Sequence, residues 1–537
     1  MLRKIGLVMI GILLVMVSFI SEASVSFAQD GGPKQKVLII VNSSLEVSIH
    51  SSLAQYVADL EQEGYKVDLC LYGESVDRPN FPTFTDWLAY WSDGHFINPE
   101  VELNTVKDEG PSALRNFLKQ KWEANNNLEG ALLVGDLPIV WFEINKDIGG
   151  YYSKFPIDLY FMDLNGSWND SDEDGIYDEH LNGEGDTYPE IWIGRLTASP
   201  LDGDESELIN NYFRKNHAYR TGELTLNKRA VFFGDDSFIP YPPENFKCPS
   251  LAFAYDDITA VVGKEATSPS DYKEILKAGY EWLDLVTHSS SRYHYITNRD
   301  GSAGYVTNEE IKSIDPEVFF YLLNTCYAAR YTEKNYIGGW YIFAKSYGLL
   351  VIGNAKSSVI LDCENFYYPL GQGNSIGEAF KKWLIFEGPF DLKTQKYSYG
   401  ICLLGDPTLK IKAKEGPDES PPDITNLRIL GLDYKKDAFY LFLEVNEPAV
   451  CKYDFSDKPY DKMAYRIDRY DGVIDKKFCY YSHIGPLENG TYTIYVRAMD
   501  QEGNKTPFSV KINVTISVSP PQPPEEYSVL DWWINNR

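Results

Sequence analysis

Short apolar runs recur along the first four hundred residues, most closing on a small or polar residue. They are KVLIIV (36–41), KVDLCLY (66–72), ALLVGD (131–136), IWIGRL (191–196), AVFFGD (230–235), WLDLVTH (282–288), VFFYLLNTC (318–326), LLVIGN (349–354) and ICLLGD (401–406). Unbroken runs of this length, rather than alternating ones, belong to strands buried on both faces, and such strands occur in parallel sheets covered by helices. Helical spacing fills several intervals. Leu53, Tyr56, Val57 and Leu60 recur on one face between the first two runs, and ALRNFLKQKWE (113–123) and IGEAFKKWL (376–384) repeat the pattern later. The pattern predicts an α/β fold with open parallel sheets, in two units covering 36–222 and 223–413, divided where a helical stretch (204–219) ends.

Beyond KEGPDESPPD (414–423), a Pro-rich acidic linker, the period changes. FYLFLEVN (439–446) is β-rich, and in TYTIYVRAMDQEGN the apolar side chains Tyr492, Ile494, Val496 and Ala498 alternate with polar ones after an Asn489-Gly490 turn. This predicts a β-sandwich over 424–516, followed by a Pro-rich tail at 517–537.

The N-terminus reads as a secretory signal peptide, residues 1–28. Arg3 and Lys4 precede an apolar stretch at 5–20, and Ser26-Phe27-Ala28 is a small-x-small cleavage site. Export is expected, with no later span apolar enough to cross a membrane. The balance of 50 basic to 78 acidic residues, a net charge of −28, argues against a nucleic-acid partner. Seven cysteines in an exported chain leave at least one thiol unpaired or joined to another chain. Cys451 and Cys479 lie near enough in sequence to form a disulfide; Cys70, Cys248, Cys326, Cys363 and Cys402 are the others.

Two runs end in chemistry. Cys326 and His288 close adjacent apolar runs one crossover apart, and in open α/β sheets sites lie beyond the carboxyl ends of strands. Both have small polar neighbours, which suits a thiolate nucleophile, its base and a backbone donor for an oxyanion. The plain alternative is a packed cysteine and a loop histidine. His294, six residues on, reads as a loop residue. A third cluster is DSDEDGIYD, which sets Asp170, Asp172 and Asp174 at alternate positions before Gly175 and Asp178. Alternating carboxylates wrap a hard cation such as Ca2+, although Leu181 at the twelfth position rules out an EF-hand. Its role would be structural.

EWLDLVTH and VFFYLLNTC, together with ALLVGDLPIV, DLNGSWNDSDEDGIYD, PEIWIGRLTAS, YGLLVIGNAKSS, IGEAF and LLGDPTLKI in that chain order, resemble the gingipain-type cysteine peptidases over nearly all of 36–412. That resemblance implies a caspase-like fold in each of the two units, with an immunoglobulin- or fibronectin-like sandwich behind them. It makes Cys326 the nucleophile and His288 the general base, with the N–H groups of Cys326 and Ser289 as the oxyanion hole. It places an acid that orients the histidine near PEIWIGR, for which Glu190 is the choice and Asp186 the second. It also supports calcium at Asp170, Asp172, Asp174 and Asp178. Three features depart from the family pattern. Ser289 stands where glycine is usual, few residues separate Ala28 from the first strand where well-known members carry a large propeptide, and the specificity pocket is not mapped. The expected activity is that of a secreted endopeptidase cleaving protein or peptide substrates through a thioester, resolved by water or, in transpeptidation, by an amine. The alternative is a non-catalytic extracellular adhesion protein on the same fold. Nothing in the sequence indicates an oligomeric state.

Overall fold

The buried apolar runs line up side by side. The computed structural model describes residues 35–73, 102–107, 109–124, 127–235, 249–359, 363–387, 397–411, 420–433, 438–446, 449–467, 469–474, 477–500 and 503–516. The signal peptide, most of the 414–423 linker, the C-terminal tail and Cys248 lie outside the described residues. Eleven strands build the main sheet: β1 (Lys36–Asn42), β2 (Lys66–Tyr72), β3 (Glu102–Val106), β4 (Leu128–Val134), β5 (Trp192–Leu196), β6 (Asn227–Gly234), β7 (Ile258–Val262), β8 (Tyr280–Val286), β9 (Val318–Asn324), β10 (Leu350–Asn354) and β11 (Ile401–Gly405). Their order across the sheet is β7-β6-β8-β9-β10-β11-β5-β4-β1-β2-β3.

Neighbours are parallel throughout this sheet except at one seam, where β11 runs antiparallel to β10. The seam turns the two halves of the sheet in opposite directions. The carboxyl ends of β6 to β10 therefore share one edge with the amino ends of β1 to β5 and β11. The expected division near residue 222 is where strand direction changes, but the two units are not separate sheets. β11, late in the chain, pairs with β5 of the first half, and one hydrophobic core runs from Val37 to Ile411. β8 and β9 are interior strands of the sheet and are buried at every position, Glu281 and Asp284 of β8 included.

Two four-stranded antiparallel sheets follow, made by β12 (Ile424–Asp433), β13 (Ala438–Val445), β14 (Val450–Asp454), β15 (Tyr465–Arg466), β16 (Arg469–Ile474), β17 (Lys477–Ile484), β18 (Gly490–Met499) and β19 (Val510–Ile516). Phe439, Leu441 and Leu443 of one sheet and Ile494, Val496 and Ala498 of the other enter one core, in the period-2 pattern read from the sequence. Cys451 joins that core from β14, whereas alternation along β17 places Tyr480 in it and turns Cys479 to the other face. The two do not form the disulfide that their closeness in sequence would allow. Among the described residues no helix is long and apolar enough to cross a membrane.

Candidate active site

Cys326 and His288 are brought together by strand register. β8 and β9 are parallel neighbours in which Val286 lies opposite Asn324, so two further residues along each chain reach His288 and Cys326. Adjacent strands are about 4.8 Å apart. Past Asn324 the chain turns sharply: Thr325 N–H donates to Leu323 O (2.8 Å), and Tyr327 takes a left-handed φ of 59°. A bulky residue in that region costs about 1–3 kcal/mol, and such strain persists where the surroundings over-determine it. Here Tyr327 N–H donates to Lys356 O (3.0 Å) and Ser357 Oγ donates to Tyr327 OH (3.1 Å). Ala328 and Ala329 then re-enter the core, which leaves Cys326 on the crest of the bend. Its sulfur accepts from Ser358 N–H at 3.4 Å and lies 3.8 Å from Ser358 O, so the 358 backbone holds it in place. Behind it Lys356 forms a buried pair with Asp147 (3.1 Å). Burial pushes the Lys356 pKa down, while Asp147 and the nearby Cys326 work against that shift.

His288 opens a small antiparallel sheet. The strand His288–Ser289 pairs with Tyr293–Thr297, and that with Ala303–Thr307. Its two faces differ in kind. His294, Ile296 and Val306 are fully buried on one, while His288, Tyr293 and Tyr305 are exposed on the other. His294 is therefore not a loop residue but an anchor. Its Nδ1 lies 2.9 Å from Ser289 Oγ and its Nε2 lies 3.0 Å from Tyr341 OH, which is itself 2.7 Å from Tyr272 OH. Burial pushes the His294 pKa down to about 3, so the ring is neutral. The Ser289 hydroxyl is turned into this hairpin, and Ser289 is absent from the residues with positive φ. The position usual for glycine thus needs no glycine conformation. Ser290 N–H donates to Tyr293 O, so the alternation of antiparallel pairing makes Ser289–His294 the pair without mutual backbone bonds. Ser289 N–H accordingly points outward from the edge of the small sheet.

A profile of peptidase family C25, the gingipain family, matches residues 32–412, about seven-tenths of the chain. The chain belongs to peptidase family C25. No curated protein matches it. Among solved structures the dimeric latent PorU from Porphyromonas gingivalis is similar, at 12% identity over 92% of this chain and 44% of that chain, with a TM-score of 0.26. This chain spans less than half of that one, and a likeness so slight carries no argument about structure. C25 is a family of cysteine peptidases, and the large parallel-rich sheet of this member fits a caspase-like fold. Within this C25 chain Cys70, Cys363, Cys402, Cys451 and Cys479 are buried, whereas Cys326 is half-buried. Burial pushes the Cys70 thiol up to about 12 and Cys402 up as well.

Glu190 does not stand beside His288 in this C25 fold. It precedes β5 and reaches the right edge of the sheet, because of the seam, but β9, β10 and β11 intervene between β5 and β8. Four inter-strand steps amount to roughly 19 Å. Its carboxylate instead accepts from Leu164 N–H (2.7 Å) and from the Asn165 amide, and burial pushes its pKa up to about 7. Asp186 caps its own loop by accepting from Tyr188 N–H (2.9 Å). The carboxylate that strand order does bring close is Asp235. It follows β6, the other neighbour of β8, and is fully buried. Its N–H donates to Val286 O (2.9 Å) and its carboxylate accepts from Thr297 N–H (2.8 Å), so it ties the end of β8 to the hairpin that carries His288. The run AVFFGD ends on this residue, a signal parallel to those of His288 and Cys326 that sequence reasoning passed over.

The acidic loop divides its carboxylates between two jobs. Asp170 accepts from Asp174 N–H (3.2 Å) and Gly175 N–H (2.7 Å), and Asp178 accepts from Ser171 N–H (2.9 Å) and its hydroxyl. These two shape the loop. Asp172 and Asp174, the latter also accepting from Ile176 N–H (2.9 Å), converge with Glu143, each carboxylate offering an oxygen within 4.8 Å of the others. Glu143 comes from the strand Trp141–Ile144, which is paired antiparallel with Ser153–Pro156 and receives the loop through the Phe142–Tyr177 bridge. An all-oxygen donor set of this charge suits a hard cation. A separate cavity of about 470 Å³, lined by Asn42, Tyr72, Gly110, Asp136 and Ile139 among others, opens at the carboxyl ends of β1, β2 and β4. Because of the seam it lies on the opposite edge of the sheet from Cys326.

Proposed function

We infer that this C25 member is an exported cysteine endopeptidase in which Cys326 and His288 act as a dyad. The observation that carries this reading is the register of β8 and β9. It sets a half-buried cysteine, on a strained bend, and an exposed histidine just past the ends of neighbouring strands on one sheet edge, which supports pairing them. His288 takes the Cys326 proton as the sulfur attacks the scissile carbonyl carbon. The oxyanion that forms is met by the N–H groups of Cys326 and of Ser289, whose outward direction supports this role. As the C–N bond breaks, His288 returns the proton to the leaving amine, and a thioester remains on Cys326. Water, deprotonated by His288, attacks the thioester; the acid leaves and the thiol is restored. An amine in place of water would give transpeptidation at the same site.

Asp235 is a positioning residue in this reading, in the place expected of Glu190. Asp235→Asn is expected to lower kcat roughly tenfold with KM little changed, with Asp235→Glu recovering part of the loss. A parallel rise in KM, or equal loss in both variants, would count against it.

Calcium would be held by Glu143, Asp172 and Asp174, on the scaffold made by Asp170 and Asp178, and would neutralise their repulsion without entering the chemistry. The C-terminal double sheet, read as an immunoglobulin-like domain, would support the catalytic domain or bind a partner.

The test is hydrolysis of a mixed fluorogenic peptide library by residues 29–537 under reducing conditions, with calcium or with chelator. Cleavage blocked by thiol alkylation is the expected result, with a lower melting temperature in chelator and no such dependence in Glu143→Gln. No cleavage by a folded, calcium-loaded chain would sink the peptidase reading in favour of a binding protein.

A further inference from the structure

The exposed face of the small sheet is aromatic, and His288 belongs to it. Cross-strand pairing sets Tyr295 opposite both His288 and Tyr305. The Tyr295 and Tyr305 rings lie 5.5 Å apart, Tyr305 and Tyr293 5.2 Å, and the His288 ring is 6.2 Å from Tyr295. These contacts make one continuous surface starting at the imidazole. Tyr293 is 40% exposed and Tyr305 48%, large values for tyrosines packed so closely together. Contiguous exposed apolar area of this kind marks a binding surface more often than chance. The face is also held still from below, because the opposite side of the same strands is pinned by His294, Tyr341 and Tyr272. A rigid aromatic platform loses little entropy when a ligand settles on it.

We propose that this tyrosine face, Tyr293, Tyr295 and Tyr305, binds the part of the substrate that follows the scissile bond, and that it selects an aromatic side chain there. The proposal rests on the dyad reading above. The general acid stands next to the leaving amine, so the chain beyond that amine passes over His288 and onto the surface continuous with it. The ring geometry points to an aromatic partner. Tyr293 and Tyr305 meet edge to face, interplanar angle 89°, which leaves a ring face and a ring edge open to a further ring in the same arrangement. A basic side chain is disfavoured, since Arg292 adjoins Tyr293 in the exposed turn.

Two substrate series separate the possibilities, both sharing an acyl half chosen from the library. One ends in a small fluorogenic amide with nothing beyond the scissile bond. The other continues with Phe, Arg or Gly in the three following positions. The wild-type chain is expected to prefer the Phe series to the Gly series in kcat/KM. Tyr305→Ser and Tyr293→Ser are expected to reduce that ratio about tenfold each, while Tyr305→Phe keeps it. A ratio unchanged in the serine variants, an equal loss in Tyr305→Phe, or a wild-type preference for Arg overturns the proposal while amide hydrolysis continues. Failure of the wild-type chain to cleave any of these substrates, the small amide included, overturns the dyad reading and this proposal with it.

Discussion

Cys326→Ala is expected to remove peptide hydrolysis by roughly four orders of magnitude or more, the scale seen when a nucleophile is lost from a catalytic unit. No other cysteine among the described residues is placed to substitute. Cys70 and Cys402 are buried with thiols pushed up by burial, and Cys363, Cys451 and Cys479 are buried as well. The fold should survive the change. Cys326 is half-buried on a bend whose shape is held by the backbone bond from Tyr327 to Lys356 and by the Ser357–Tyr327 contact, neither of which uses the sulfur. The melting temperature should therefore stay close to that of the parent while turnover disappears. Cys326→Ser is a sharper probe, since it keeps the size but replaces a good nucleophile with one far harder to ionise; it too should be nearly inactive. Retention of more than a tenth of the parent activity in Cys326→Ala would place the nucleophile elsewhere.

The elements that position this cysteine were legible because burial on two faces leaves a plain record. VFFYLLN is apolar up to its last residue and YEWLDLV is apolar except at Glu281 and Asp284, and both are buried from end to end in the structure. What the sequence could not show was direction. Nothing in ICLLG says that it joins β5 from far earlier in the chain and reverses against β10, yet that pairing makes one sheet of two expected ones. The same limit misplaced Glu190. Its nearness to an important strand was readable, but the three strands inserted between β5 and β8 were not. Glu143 was missed because it reaches the acidic loop across a tertiary bridge rather than along the chain. The hairpin was misread for a different reason. In YHYIT only five residues carry the alternation, and its buried members are a histidine and an isoleucine, so a period of two had little apolar weight.

Asp406→Asn is expected to be the most damaging substitution outside the active site, at about 3–5 kcal/mol, because it leaves a buried guanidinium without its main counter-charge. Arg220 ends the helix Glu205–Arg220 and is nearly inaccessible. Its Nη2 donates to Asp406 (2.7 Å) and to Thr408 Oγ1 (2.5 Å), its Nε donates to Asn216 Oδ1 (2.8 Å), and Nη1 pairs with Glu63 at the end of the helix Glu46–Gln62. Asp406 in turn accepts from Asn216 Nδ2 (2.8 Å) and Thr408 N–H (2.9 Å). It directly follows β11, so the network clamps two covering helices to the strand that joins the halves of the sheet. Burial alone would push the Asp406 carboxyl up, but Arg220 and the hydrogen bonds from Thr408 and Asn216 outweigh it and hold the pKa below the usual carboxylate range. A carboxyl depressed in the folded state contributes stability that is present above its unfolded pKa, about 4, and is lost as pH falls through the folded value. The gap in stability between the parent and Asp406→Asn should therefore be widest near neutral pH and close below about pH 4. Denaturant unfolding at pH 7 and at pH 3 measures both gaps. A gap of the same size at the two pH values would mean that the shape of the side chain, not its charge beside Arg220, is what the fold requires.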